Sequence, residues 1–399
     1  MLVQFMLKNV LSFKDETLLD MTAINAYKEH ECNLIDNGTK EKFLRAAAIY
    51  GANASGKSNL HLAMSYFQRI IVESFNNVNN GEDIVIKRLF VPFSFEDNKE
   101  NSEFQIVEIL DDFEYRYGFE YNDTCIVTEW LYRKSLKTNR TTTIFERTTE
   151  TVEFGASVRK ECDVYKEQIP IETLVLSFFN KLKLKTDLFR IVYKGIMKTL
   201  VVPADFCEDT GVLETLLPEV IENKNEKEKL LEFLTAIDTG IKDIVYDDSD
   251  NEISFYTFHK GRNGDEYSLD LFFESEGTIK SIMLFIYARM AIIGNGSIFV
   301  DELNTKLHPL LLKFIIDLFY DENSMAQLIY TTHDTTLMDK KFFRRDQIWF
   351  VQKDEFGYSE LSALSDFKVR SDASFEKDYL AGVYGGIPFL KEFDMKEGK

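Results

Sequence analysis

The sequence predicts an α/β fold: a mixed sheet flanked by helices, with an antiparallel β subdomain and an inserted helical region. Three observations carry this expectation. Apolar runs alternate with helix patterns toward both ends of the chain, as in a parallel sheet covered by helices. A glycine-rich loop, 51–58, joins the apolar run Ala46–Tyr50 to a helix pattern. Between the two ends, residues 89–154 alternate in the manner of strands, as in an antiparallel meander.

Taken in order, Val3, Phe5, Leu7 and Val10 alternate as a first strand, and the first 50 residues read as short strands. Ser58–Ile71 places Leu60, Ala63, Met64, Phe67 and Ile71 on one helix face. Asn76–Gly81 is a turn-rich loop. Helix patterns dominate Ile171–Ile237, broken near Pro203 and at the charged run Glu222–Lys229. A strand pattern returns at Ile253–Phe258. Gly277–Ile293 and Leu310–Tyr320 read as helices, and Ser297–Val300, Gln327–Tyr330 and Ile348–Val351 as buried strands. The expected organisation is an N-terminal lobe over 1–165, an inserted helical region over 166–250 and a C-terminal lobe over 251–399. No repeat or sustained heptad pattern interrupts this plan.

Composition narrows the class. With 399 residues, 45% hydrophobic and 29% charged, the chain has the makeup of a soluble globular protein. No stretch approaches 18 uncharged apolar residues, so no membrane partner is expected. The start lacks the basic and small-residue marks of a signal peptide. Cys32, Cys125, Cys162 and Cys207 show no paired spacing, which argues against a disulfide framework or a zinc site. A cytoplasmic location is expected. The net charge of −20 repels nucleic acid. Residues 131–200 nevertheless hold 14 Lys/Arg against 8 Asp/Glu, a balance of +6, either a solvated basic face or a docking surface for DNA or an acidic partner.

The chemistry is concentrated in short motifs. Gly51-Ala-Asn-Ala-Ser-Gly56-Lys57-Ser58 fits G-x-x-x-x-G-K-[ST] in full, between a strand and a helix. Gly51, Asn53, Ala54, Ser55, Gly56 and Asn59 would surround the phosphates of ATP. Lys57 would bridge the β- and γ-phosphates and Ser58 would hold Mg²⁺. Ser297-Ile-Phe-Val-Asp301-Glu302 ends a buried strand in two carboxylates. Asp301 is placed to hold Mg²⁺ and Glu302 to polarise the attacking water. Ser275 and Gly277, in Glu274-Ser-Glu-Gly-Thr278, open a helix and form either an ordinary cap or an anion site. His333, in Tyr330-Thr-Thr-His-Asp334, closes a strand where ligands bind in open α/β sheets. His308 and Pro309 suit a helix start.

Together these motifs resemble the ABC/SMC-type ATPase heads. Within them the chain resembles the AAA-type ATP-binding proteins of bacterial phage-defence loci, with the RloA-like, AbiL-like and PARIS ATPase subunits as examples and the OLD-family ATPases more distant. The segment Arg344-Arg-Asp-Gln-Ile-Trp-Phe350, with Ser365-Asp-Phe367, Phe375–Leu380 and Gly385-Gly-Ile-Pro388, looks especially like this group. The resemblance covers about 1–70 and 265–390. It implies a P-loop NTPase of ABC-ATPase type that hydrolyses ATP with Mg²⁺. It also implies an ATP-sandwich homodimer or higher oligomer, in which Ser275 to Thr278 of one copy faces the γ-phosphate held by the other. A sensor or scaffold role, controlling a separately encoded toxin or nuclease, follows from the same group. Two departures stand out: Asn304 replaces the Asp of many relatives, and no Q-loop glutamine is placed, Gln105 being the nearest. No Toprim-like acidic cluster follows residue 340, so a nuclease activity of the chain's own is not expected. The alternatives are a RecF- or SMC-like DNA-repair ATPase and a scaffold that binds ATP without turnover; Glu302 argues against the last.

Overall fold

A computed structural model describes residues 1–75, 84–96, 100–206, 210–249, 253–370 and 373–388. The turn-rich 76–81 segment lies outside them. The chain begins with β1 (Leu2–Lys8), β2 (Thr17–Asp20), the short ribbon β3 (Leu34–Ile35) and β4 (Phe43–Leu44), and β5 (Ala46–Tyr50). Helices α1 (Lys57–Glu73) and α2 (Val85–Leu89) follow. The meander comprises β6 (Ser102–Leu110), β7 (Phe113–Tyr121), β8 (Ile126–Ser135), β9 (Thr141–Arg147) and β10 (Val152–Phe154). Then come α3 (Arg159–Cys162), α4 (Val175–Lys181), α5 (Leu188–Met197), β11 (Thr199–Val202), α6 (Thr210–Glu222) and α7 (Lys224–Ala236). Strands β12 (Ile241–Asp247), β13 (Ser254–Lys260) and β14 (Glu266–Asp270) precede α8 (Glu276–Gly294). The chain continues through β15 (Ser297–Val300), α9 (Pro309–Asp317), β16 (Gln327–Thr331), β17 (Ile348–Lys353), β18 (Ser359–Ala363) and α10 (Phe375–Leu380).

Two large sheets result. The first runs β10-β9-β8-β7-β6-β1-β2 and is antiparallel throughout. The second runs β11-β15-β16-β5-β17-β18 and is parallel except for its last strand. Successive residues of the parallel strands bury into opposite faces. Ala47, Ile49, Phe299, Ile329 and Val351 belong to one apolar cluster, and Ala46, Ala48, Tyr50, Ile298, Val300, Leu328, Tyr330 and Phe350 to another. This is why these strands read as unbroken apolar runs rather than alternating ones. Helix α1 lies between the two sheets. Its Phe67 stacks on Phe119 of β7 at 5.7 Å, while its His61 meets the Phe299 ring of β15 edge-on at 5.1 Å.

The structure departs from the sequence reading in three places. Thr199–Val202 lies inside the stretch read as helical, yet β11 pairs in parallel with β15 and extends the central sheet. A four-residue apolar run after an amphipathic helix carries no period that separates it from one more helical turn. The single strand expected near 253 is the middle of a three-stranded sheet, β12-β13-β14, whose outer strands are too polar to show as apolar runs. The charged break at 222–229 is narrower than it reads: Asn223 caps α7 by accepting from the Asn225 and Glu226 amides at 3.2 and 3.3 Å. Helix α8 has the length and apolarity to cross a bilayer, with half of it buried inside the protein. Ile282, Leu284 and Phe285 pack there with Phe233 of α7 and Val300 of β15.

Candidate nucleotide site

The C-terminal ends of β5, β15 and β16 lie side by side, since β16 pairs in parallel with both neighbours. Three motifs therefore meet at one edge: the loop after Tyr50, the acids after Val300 and the histidine after Thr331. Ligands bind at this edge in open α/β sheets because loops and helix N-termini converge there.

The phosphate loop is tightly built. Gly56 has φ +116°, and a Cβ placed on it would stand 2.4 Å from the Ser359 hydroxyl. A Cβ on Gly51 would stand 2.4 Å from the Val351 carbonyl. Only glycine satisfies both positions. Ala54 adopts φ +63°, a strained state for a residue with a Cβ. The loop is held from beneath by residues far away in sequence. Asn59 Nδ2 donates to Ser12 Oγ at 2.8 Å, the Ser12 and Ser359 hydroxyls share a 2.8 Å bond, and Ser359 Oγ donates to the Ser55 carbonyl at 2.7 Å. Lys57 is buried, its Nζ donating to the Gly51 and Ala52 carbonyls at 2.8 and 2.9 Å. Burial lowers its pKa below the ordinary lysine value, and the charges of Glu302 and Asp301 oppose that shift. Ser58 and Asn53 are exposed beside it.

Asp301 is buried and accepts a hydrogen bond from the Thr331 hydroxyl. The same hydroxyl accepts from the Glu302 amide at 2.8 Å. Glu302 sits in the left-handed region at φ +47°, which turns the chain sharply at the strand end. Its carboxylate accepts from Thr305 Oγ1 at 3.3 Å, and its carbonyl accepts from the buried Lys280 Nζ at 3.2 Å. His333 is exposed, and its Nε2 lies 3.3 Å from the Asn304 amide nitrogen. The His61 imidazole, one helical turn beyond Ser58, has its pKa lowered by burial, against the charge of Asp301.

The donor set fits a nucleotide with a divalent cation. The glycine cradle leaves backbone room for phosphates at the start of α1, a buried cation faces that space, and Ser58 and Asp301 supply hard oxygen ligands. Ser275 and Gly277 open α8. The Ser275 hydroxyl accepts from the Thr278 amide at 3.1 Å and lies 2.8 Å from the Thr278 hydroxyl. A Cβ on Gly277 would come within 2.9 Å of the Lys306 carbonyl, and Lys306 pairs with Glu276 at 3.1 Å. The start of α8 is thus fastened to the loop that follows Glu302. His308 caps α9, accepting from the Leu310 amide at 3.2 Å.

Sequence reasoning missed Ser12, Ser359, Lys280 and Thr331. The charged Lys280 within an apolar helix and the paired threonines at the end of β16 were the available signals. In the basic stretch 131–200, Arg147 is buried 3.8 Å from Glu129, and Lys134, Lys137 and Arg190 pair with Glu114, Asp112 and Asp187. Three of these acids, Glu129, Glu114 and Asp112, lie outside the stretch and offset half of its +6 balance.

A family model described as "AAA domain, putative AbiEii toxin, Type IV TA system" matches residues 46–167 and 169–339. A comparison with curated proteins found no match. Among solved structures, the chain is similar to an SMC head bound to the C-winged helix domain of ScpA, at 13% identity and TM-score 0.44, covering 95% of this chain and 99% of that one. It is similar to the SMC head domain from Thermotoga maritima, at 13% identity and TM-score 0.41, covering 92% and 99%. An SMC head with an extended coiled coil, bound to the C-terminal domain of ScpA from Pyrococcus furiosus, matches at 14% identity and TM-score 0.41, covering 95% and 98%.

Proposed function

This chain belongs to the family described as AAA domain, putative AbiEii toxin, Type IV TA system, and from that premise we propose that it binds and hydrolyses ATP with Mg²⁺, in sites completed between two copies. The observation that carries the reading is the convergence of Lys57, Ser58, Asp301, Glu302 and His333 at one sheet edge, above a loop whose glycines admit no side chain. Lys57 faces the β- and γ-phosphates, and Ser58 and Asp301 hold the cation. Glu302 takes the proton of the attacking water, and His333 donates to the γ-phosphate. A Mg²⁺ ion held by Ser58 and Asp301 would supply positive charge against the phosphate oxygens.

Two exposures support self-association. Phe273, two residues before the Ser275 cap, is 79% exposed, and Leu310, beyond the Glu302 turn, is 77% exposed. They flank the joined surface formed by the start of α8 and the 302–308 loop, which is the face that meets a second copy in this reading. The Ser275 and Gly277 end of α8 then reaches the γ-phosphate held by the other copy, with the helix N-terminus favouring the anion. The family description names a toxin–antitoxin system. We propose further a cytoplasmic defence role in which ATP-driven closure controls a separately encoded toxin or nuclease.

The test combines a Lys57→Ala chain with a Ser275→Arg chain. Each alone is expected to lack ATP turnover, and Lys57→Ala to show no ATP binding by calorimetry. The mixture recovers part of the activity through its one intact composite site. Mixed dimers without recovery would reject the independent shared sites; a fully active monomer would reject the sandwich. The effector arm is tested by co-purification with the product of the adjacent gene, expected with ATP and not with ADP.

A further inference from the structure

Asn304, two residues past Glu302, is held between two groups. Thr332 Oγ1 accepts from the Asp334 amide at 3.0 Å and donates to Asn304 Oδ1 at 2.8 Å. The Asn304 amide nitrogen lies 3.3 Å from His333 Nε2. Thr332 is 1% exposed, so its hydroxyl has no ready exchange with water. A hydroxyl carries one proton, and this one is directed at Asn304. Turned the other way, the Asn304 side chain would present NH₂ to that proton and leave the proton unused, a cost at a buried site. The amide oxygen therefore belongs toward Thr332 and the NH₂ toward the imidazole. A ring nitrogen that faces a donor must offer a lone pair.

We infer that Asn304 is a positioning residue that holds His333 in the neutral tautomer with the proton on Nδ1, through the chain Asp334 amide, Thr332 hydroxyl, Asn304 amide and His333 Nε2. Nδ1–H becomes the ring's only donor. The ATPase reading then gains an atom: Nδ1–H is the group that donates to the γ-phosphate. An aspartate at 304 offers an acceptor where the amide offers a donor, and it draws the proton to Nε2. The tautomer is set by the protein alone; only its use in turnover rests on the proposed function.

The experiment uses the full chain with ¹⁵N-labelled histidine, at a pH well above the ordinary imidazole pKa of ~6.5. Long-range proton–nitrogen spectra report which ring nitrogen is bare, and His333→Gln assigns the signal among the 5 histidines. In the unmodified chain His333 is expected to be mainly Nδ1–H. Asn304→Ala shifts the tautomer ratio toward Nε2–H by about fivefold or more, the effect of one net hydrogen bond. Asn304→Asp makes Nε2–H the main form. Thr332→Val, which keeps shape and removes the hydroxyl that orients the amide, gives a ratio between those of the unmodified chain and Asn304→Ala. An Nε2–H ring in the unmodified chain, or a ratio unmoved by Asn304→Asp and Thr332→Val, overturns the inference. In turnover assays Asn304→Asp lowers kcat and leaves the KM for ATP within about twofold, as expected when an interaction made only in the transition state is lost. A chain that shows the expected tautomers but hydrolyses no ATP would overturn the proposed function and leave the positioning role standing.

Discussion

The two ends of β16 are built in opposite ways. At its start, Gln327 is wholly buried and fully satisfied. Its Oε1 accepts from the Leu2 amide at 2.8 Å and the Ser297 hydroxyl at 3.1 Å, and its Nε2 donates to the Leu2 and Leu44 carbonyls at 3.0 and 3.1 Å. One side chain thus pins the antiparallel sheet to the parallel one. On the same side of the sheet, ahead of β17, Arg344 is buried at 0% exposure. It donates to the carbonyls of Ile24, Tyr27 and Glu29 and pairs with Asp346 at 2.8 Å. At the other end of β16, Thr331 leads to an exposed histidine, a left-handed Glu302 and a strained phosphate loop. Polar groups at the first end are consumed by the fold. At the second they are oriented by the fold and left able to act. The difference teaches where substitutions should cost stability and where they should cost chemistry.

The largest expected effect falls on the satisfied end. Arg344→Met leaves the Asp346 carboxylate buried without its partner and should destabilise the chain by about 3–5 kcal/mol in urea denaturation. A loss under about 1 kcal/mol would erase the contrast. Glu302→Gln is the counterpart at the open end: ATP hydrolysis falls by about 10²- to 10⁴-fold, with the unfolding midpoint nearly unchanged. A large stability loss there would show that Glu302 is a structural residue. Gly56→Ala tests whether the strain belongs to the loop itself. At φ +116° and 2.4 Å from the Ser359 hydroxyl, the added methyl should cost about 1–3 kcal/mol and remove ATP binding in calorimetry. Normal affinity would mean that the loop relaxes freely. The smallest effect is expected from Ser359→Ala, which removes the donor to the Ser55 carbonyl. It should cost about 1 kcal/mol and weaken ATP binding less than tenfold. A neutral result would place the support of the loop elsewhere.

The legible parts of this molecule are those written in adjacent residues. The phosphate loop could be read because its glycines, lysine and serine occupy consecutive positions with one conformation to satisfy. Asp301, Glu302 and His333 could be read because an apolar run must end where its strand leaves the sheet. The supports could not. Ser359 and Ser12 meet across 347 residues, and Gln327 reaches Leu2 across 325; neither pair leaves a local pattern. Asn304 was visible only as a departure from the expected aspartate, and its partners Thr332 and His333 lie a strand away. Arg344 appeared as one of three consecutive charged residues, 344–346, with nothing in the sequence to say that the side chain turns inward. Strand β11 was hidden for a different reason: four residues are too few to carry a period.

The bond from Ser359 to the Ser55 carbonyl also has a consequence for synthesis. The phosphate loop and its support are separated by 304 residues. At a translation rate of about 5–20 residues per second, the loop emerges from the ribosome roughly 15–60 s before the strand that completes it. For most of that interval β5 also lacks its neighbours β16 and β17, both made after the meander. The nascent N-terminal half therefore carries its nucleotide motif in an unfinished form, and competence to bind arrives late, when the last strands close over the edge of the sheet.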